Sequence, residues 1–396
     1  MRQDATFNIL MYSHDTYGLG HLRRTMAVAS HLQGPAVNIL ILTGSPIAGQ
    51  FVFPPQIDFV RIPGMIKMTN NEYLPLSIKI NPTHALNIRK NIITATAKTF
   101  KPHLFIVDKE PLGLKKEVLP TLRWLRRNLP ETRTILGLRD IMDDAQTVRN
   151  DWKEKGVYDV LDQLYSEIWV YGIQDFYDPI VEYDIPEAVR PKIYFTGYIP
   201  RKLPGKVAMH KIRKKIGVKK DQKLVVVTAG GGGDGYVIMD TFLSMLETRP
   251  LPFKSVLISG PFMPKKERDG IFERARQLNV KTWQFYSEME EILAAADLVV
   301  SMGGYNTLCE VLTQKTLALI IPRENPRQEQ LIRARVFSSR KLAEYISWPT
   351  FSPEILRDKI LALLEHPEPY QDAISGFQLT AMDRIQKRLY SFCSKA

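Results

Sequence analysis

Short apolar runs alternate along this chain with segments whose apolar residues recur at helical spacing. The runs Thr6–Tyr12, Val37–Thr43, Leu104–Val107, Thr134–Leu138, Ile168–Tyr171 and Ile193–Thr196 are apolar on both faces, as strands buried in a parallel sheet are. Helical patterns fill the gaps, over Leu22–Leu32, His84–Phe100 and a segment with Val118, Leu122, Leu125 and Leu129 on one face. The stretch from Ile47 to Pro82 breaks the rhythm, because its prolines exclude long regular elements. It reads as a lid or docking loop, or as a segment packed over the first domain. At Gly197–Gly205 the Pro and Gly content is that of an interdomain crossover. The pattern then restarts with Leu224–Thr228, Ser255–Ser259, Lys281–Phe285, Leu298–Ser301 and Leu317–Ile321, again separated by helices. The class is α/β, two Rossmann-like parallel-sheet domains, predicted at 1–198 and 199–370. A last helix within 371–396, Met382–Phe392, follows a connection long enough to return to the first domain.

Candidate chemistry sits in the loops after the strands, where open α/β sheets bind ligands. After Leu298–Ser301 come Gly303 and Gly304, then a helix whose Leu308, Val311 and Leu312 fall at i, i+3 and i+4. A Gly-Gly turn opening a helix leaves N–H groups that suit phosphate oxygens. Glu310, one turn on, is expected to face the same opening, where a carboxylate can accept from two vicinal sugar hydroxyls. Phosphate beside ribose means nucleotide; the alternative is a plain tight turn. Gly230, Gly231, Gly232 and Gly233 let backbone approach a ligand closely. The polar loop Pro322–Gln330 offers Glu329 and Gln330 to a hydroxyl-rich ligand. The first loop carries Gly18, Gly20 and His21 without the G-x-G-x-x-G spacing, so a dinucleotide is not supported. His21 is a base or a hydrogen-bond donor, or it serves only the turn; His14 ranks behind it. Asp108 and Glu110, at the end of Leu104–Val107, stand where a general base is useful, or salt-bridge to nearby lysines. No Asp-x-Asp occurs, which weakens the case for a metal-bridged diphosphate.

Composition narrows the setting. The 396 residues, 44% hydrophobic and 24% charged, suffice for two globular domains. Two cysteines, Cys309 and Cys393, make neither a disulfide framework nor a zinc site and fit a reducing cytosol. No apolar run is long enough for a signal peptide or a membrane span. The net charge of +12 concentrates at Lys211–Lys220 and at Lys115, Lys116, Arg123, Arg126 and Arg127. These are solvated helix faces or a surface drawn to anionic lipid head groups. Nucleic acid is not an expected partner, since no reading module for it is present.

Taken together, Gly18–His21, Gly230–Gly233, Ser301–Glu310 and Pro322–Gln330 resemble the motifs of the GT-B-fold glycosyltransferases of family 28, the group of MurG and monogalactosyldiacylglycerol synthase. The likeness is strongest over roughly 220–340. It implies two domains facing a central cleft and a nucleotide-sugar donor, most often UDP-linked, held by the second domain. By motif position, Glu310 would bind the ribose, and Gly303, Gly304, Tyr305, Asn306 and Thr307 the diphosphate. Gly231 and Gly232 would close over it, Glu329 and Gln330 would touch the sugar, and Gly20 and His21 would lie near the phosphates or the reacting centre. The resemblance implies an inverting transfer to an unidentified acceptor hydroxyl, without cofactor or metal; cysteine usage and the basic clusters point to the cytoplasm, with peripheral binding at the inner face of the membrane as an alternative to solvated helix faces. The base would be Asp108, Glu110 or His21, in that order. Alternatives are a nucleotide-sugar 2-epimerase and a non-catalytic nucleotide-sugar-binding subunit. Two departures stand out: Glu329-Gln330 replaces the usual Asp-Gln or Gln-Gln, and the second glycine loop lacks its common Ser.

Overall fold

A computed structural model describes residues 6–14, 20–67 and 73–393. Gly18 and Leu19 of the first loop and Met68 of the irregular stretch lie outside the described residues. The chain divides into two compact units, Met1–Ile199 with Thr380–Ala396, and Pro200–Leu379.

In the first unit the order is β1 (Phe7–Ser13), α1 (Gly20–Leu32), β2 (Val37–Thr43), β3 (Ile57–Arg61), β4 (Met65–Lys67), β5 (Tyr73–Pro75), α2 (Pro82–Phe100) and β6 (Leu104–Asp108). Then come α3 (Leu119–Asn128), β7 (Arg133–Arg139), α4 (Ala145–Lys155), α5 (Val157–Leu164), β8 (Glu167–Tyr171), α6 (Pro179–Glu182) and β9 (Ile193–Phe195). The sheet runs β3-β2-β1-β6-β7-β8-β9, with every neighbouring pair parallel. Its strands are fully buried at Leu10, Tyr12, Phe105, Val107, Leu136 and Ile168, which is why their sequences lack alternation. The stretch from Ile47 to Pro82 proves more regular than its prolines suggest. Ile57–Arg61 lies between them and pairs with β2, while β4 and β5 form a small antiparallel hairpin.

The second unit holds α7 (Lys206–Ile216), β10 (Lys223–Thr228), α8 (Tyr236–Thr248), β11 (Phe253–Ile258), α9 (Lys265–Gln277), β12 (Lys281–Trp283), α10 (Met289–Ala295) and β13 (Leu298–Ser301). It continues with α11 (Tyr305–Gln314), β14 (Leu317–Ile320), α12 (Glu329–Ser338), β15 (Glu344–Tyr345), α13 (Pro353–Glu365) and α14 (Glu368–Gly376). Its sheet, β12-β11-β10-β13-β14-β15, is again wholly parallel. The last helix, α15 (Ala381–Cys393), belongs to the first unit, where Arg388 forks onto Glu167 (Nε to Oε1 2.9 Å).

The return to the first unit begins at Thr380, later than residue 371, because α14 is fixed to the second unit. Ile374 is fully buried, the Tyr370 hydroxyl donates to Glu344 Oε2 at 2.6 Å, and Lys315 Nζ donates to the Ile374 and Phe377 carbonyls at 2.7 Å each. Each sheet changes winding direction once, between β1 and β6 and between β10 and β13. At such a switch point the loops diverge and leave a crevice outside the strand ends.

Candidate active site

At the β1/β6 switch point the first unit gathers a charged cluster. His21 and Arg24 are three residues apart on α1 and therefore project on one side, over the end of β6. Arg24 grips Asp108 with both arms, Nε to Oδ1 and Nη2 to Oδ2 at 2.8 Å each. His21 Nδ1 lies 2.6 Å from Asp108 Oδ2. The guanidinium and the imidazole hold the Asp108 carboxyl far below the usual carboxylate range, against the opposing effect of burial. An ionised carboxylate can only accept, so the proton of that short bond sits on His21 Nδ1, which then accepts nothing from Arg24 Nη2 3.2 Å away, and the Nε2 lone pair is bare. Burial lowers the His21 pKa to about 4, outweighing the raising effect of Asp108. A neutral imidazole with an oriented lone pair, its side chain 17% exposed, is what a general base requires.

Asp108 has both carboxylate oxygens taken up by Arg24 and His21, which places it to orient the imidazole. Glu110 lies 3.1 Å from Lys109 Nζ, the salt bridge foreseen as its alternative role. His21 is the group left with proton-accepting capacity, and Gly20 begins its helix. Lys109 holds φ of 65°, an uncommon left-handed value for a residue with a side chain, in the turn that follows Asp108. Arg24 was not found from sequence; its i+3 spacing from His21 was the available signal.

In the second unit, Thr228 and Ser301 are register partners that end β10 and β13. Each hydroxyl caps its own loop, accepting from Gly230 N–H at 3.3 Å and from Gly303 N–H at 3.2 Å. Gly303 has φ of 69°, and a Cβ there would lie 2.5 Å from Ile320 Cγ2. Gly303→Ala is therefore expected to lower unfolding stability by about 2 kcal/mol or more in denaturant titration, from left-handed strain plus overpacking of a rotamer-restricted isoleucine. Gly304 is the N-cap of α11 and supplies no side-chain cap, leaving first-turn N–H groups to another partner.

A cation stands at that helix terminus. Arg201, 8% exposed, donates from Nη2 to Asn306 Oδ1 at 2.8 Å, and its own N–H donates to Thr313 Oγ1 at 3.0 Å. Its Nε and Nη1 are buried without a hydrogen-bond acceptor among the described residues. A guanidinium held this way, beside the positive end of a ten-residue helix, suits an anion. Arg333, fully buried, reaches the Gly303 carbonyl with Nη1 at 3.3 Å and lies over the Tyr305 ring, supporting the loop from beneath. Neither arginine was singled out by local sequence pattern, since each acts on a loop distant in sequence.

Gly232 is buried, with φ of 95°, and a Cβ there would lie 2.2 Å from the Ser259 carbonyl oxygen. Its close approach is to the protein's own neighbouring loop, and Gly231 uses its carbonyl to accept from Phe262 N–H at 2.9 Å. Glu310 is 2% exposed on α11. Tyr305 is buried beside it, while Asn306 and Thr307 are half-buried on the first turn. Arg323 joins two loops, donating to Asp234 Oδ2 at 2.6 Å and to Glu329 Oε1 at 3.3 Å. Gln330 Oε1 accepts from Arg323 N–H at 2.8 Å, so both residues of the departing pair are positioned by one arginine.

Two parallel-sheet units with sites at their strand ends define the GT-B class, and solved structures agree. The chain aligns over 98% of its length with 99% of Acinetobacter baumannii MurG (TM-score 0.61, 13% identity). It aligns over 98% with 99% of a UDP-glucosyltransferase from Polygonum tinctorium (TM-score 0.66, 12% identity). The particular family enters through the second half: residues 225–389 match the glycosyltransferase family 28 C-terminal domain, and the chain carries that domain. A UDP-N-acetylglucosamine–N-acetylmuramyl-(pentapeptide) pyrophosphoryl-undecaprenol N-acetylglucosamine transferase of Streptococcus thermophilus is 29% identical over 183 residues, 46% of this chain and 49% of that protein. The enzyme of the same name from Acetivibrio thermocellus is 25% identical over 207 residues, 51% of this chain and 55% of that protein. The chain spans about half the length of the curated relatives it matches.

Proposed function

We propose that this protein is a glycosyltransferase that moves a sugar, with inversion, from a UDP-sugar to an acceptor hydroxyl. The observation that carries the reading is Arg201, with two buried donors lacking an acceptor, set on Asn306 at the N-terminus of α11 in the family 28 domain. A diphosphate would receive the α11 N–H groups and the guanidinium, which stabilise the departing charge without calling for a metal. Ribose hydroxyls would reach Glu310 only by being buried with it, as most of a small ligand's surface is in a pocket. Glu329 and Gln330 are assigned to the donor sugar. His21 Nε2 takes the proton of the attacking hydroxyl, and Asp108 stabilises the imidazolium that forms. The His21–Asp108 pair favours a catalyst over a binding subunit, which has no use for an oriented base.

The test is a thermal-shift screen against UDP-, GDP- and dTDP-sugars. At a free concentration of about 100 Kd a donor adds roughly 2.7 kcal/mol to stability, so a clear rise in Tm is expected with the UDP-sugar. Equal shifts with all three, or none, count against the reading.

We also propose that the first unit rests on an anionic membrane surface. Among the described residues no helix is long and apolar enough to cross a membrane. The basic cluster of the second unit is partly spent internally: Arg213 binds Asp297 at 3.0 Å and Lys215 lies over Trp283 and Tyr286. Arg123, Arg126 and Arg127, at i, i+3 and i+4 on α3, make no hydrogen bond or ion pair among the described residues. With Lys116 and Lys155 they rim a cavity of about 450 Å3 whose apolar lining includes Leu112, Leu119 and Val160. An acceptor carried on a lipid, as the relatives' names specify for theirs, would be met at such a surface. Co-sedimentation with phosphatidylglycerol vesicles is expected to weaken with salt, and Arg123→Glu/Arg126→Glu/Arg127→Glu to abolish it, at roughly 1 kcal/mol per lost cation. Binding indifferent to salt and lipid charge would refute this.

A further inference from the structure

A second histidine stands at the same sheet edge and the chemistry above does not use it. His14 follows β1 directly, is 7% exposed, and its ring centroid lies 5.5 Å from that of His21, edge to face. Behind it runs a buried chain. Arg89, fully buried on α2, holds Glu117 through Nε (2.6 Å) and Nη2 (2.5 Å). Tyr12 OH, also fully buried, donates to Glu117 Oε1 at 2.6 Å and lies 3.3 Å from His14 Nδ1. The direction of this chain is fixed by counting protons. A carboxylate doubly bonded to arginine only accepts, so the single phenol proton points at Glu117. Toward His14 the Tyr12 oxygen, which also accepts from Leu114 N–H at 3.3 Å, can then only accept a second hydrogen bond, and the imidazole carries its proton on Nδ1. Both His14 and His21 therefore present bare Nε2 lone pairs. Burial lowers the His14 pKa to about 3, the first of its causes; Glu110 and Asp108 raise it, and His21 and Lys109 lower it further. Two unprotonated nitrogens repel phosphate oxygens and attract hydroxyl donors, so this edge suits a polyol rather than a second anion.

Resting on the transferase reading, we propose that His14 is a second acceptor-contacting residue, whose Nε2 receives a hydrogen bond from a hydroxyl neighbouring the one His21 deprotonates. The acceptor is accordingly a diol or sugar, and Tyr12, Glu117 and Arg89 are positioning residues that fix the His14 tautomer.

Long-range 1H–15N correlation spectra of the full chain, with His14 identified by its loss in His14→Gln, test the relay without any substrate. The expected wild-type signature is a protonated Nδ1 and a bare Nε2 from pH 8 to pH 5, converting to mixed tautomers in Tyr12→Phe. A protonated Nε2, or a ring that titrates near pH 6.5, overturns it. The substrate contact is read with a UDP-sugar and a methyl hexoside against its single-deoxy analogues. The wild type should favour the intact diol by about five- to tenfold in acceptor KM, the worth of one hydrogen bond. His14→Asn, which keeps a group near Nδ1 but none at Nε2, should erase that preference, and His14→Gln, which reaches the Nε2 position, should restore part of it. Equal preference in wild type and His14→Asn overturns the contact. Absence of turnover with every donor and acceptor overturns the transferase reading and the contact with it, while the tautomer result stands or falls separately.

Discussion

His21→Ala is expected to slow sugar transfer about 10²- to 10⁴-fold while leaving the UDP-sugar thermal shift in place, since the base and the donor grip lie in different units. Single-turnover kinetics with saturating donor read the first quantity and the thermal shift reads the second. The pH profile carries the sharper signature. Because burial depresses the His21 pKa from 6.5 to about 4, the imidazole remains an unprotonated base as pH falls, and the acid limb of kcat/KM should break near 4 rather than near 6.5. The same shift has a stability consequence. A depressed folded-state value means the unfolded chain takes up the proton first, so the contribution is whole above pH 6.5 and is lost as pH falls toward and through about 4. Asp108→Asn also disorients the base, but it strips a buried Arg24 of its carboxylate. It is expected to cost about 3–5 kcal/mol of stability, and its kinetics are meaningful only on protein shown to be folded.

Arg201→Ala should weaken UDP-sugar binding roughly 10- to 150-fold, the equivalent of ~1.5–3 kcal/mol for hydrogen bonds to a charged group. Isothermal titration of the variant with UDP and with uridine separates the causes. If Arg201 meets the diphosphate, UDP affinity falls and uridine affinity does not. Arg201→Lys should recover little, because a point charge cannot keep the Asn306 bond and serve the ligand through a planar fork. A variant that binds UDP like the wild type removes the central support of the donor site.

Much of the fold was legible because strands buried on both faces write themselves as apolar runs, and Ile168–Tyr171 and Leu224–Thr228 have no other reading. Ile57–Arg61 was missed for a physical reason: prolines flank that strand but none lies within it, and β2 supplies the parallel neighbour that local pattern does not reveal. The glycine loop after β13 was found because strand, Gly-Gly and helix are contiguous. The close approach of Gly232 to Ser259–Gly260 was not legible because that surface comes from another loop.

By itself the sequence determined the α/β class, the interdomain break and the glycine loops that follow the strands, since each of these depends on neighbours within a few residues. Only the tertiary structure decided which groups from different elements meet. Arg24 closes on Asp108 from another element, and Arg201 meets a helix more than a hundred residues away. Proton affinity and unmet hydrogen bonds are set by burial and by partners from other elements, and a linear pattern contains neither.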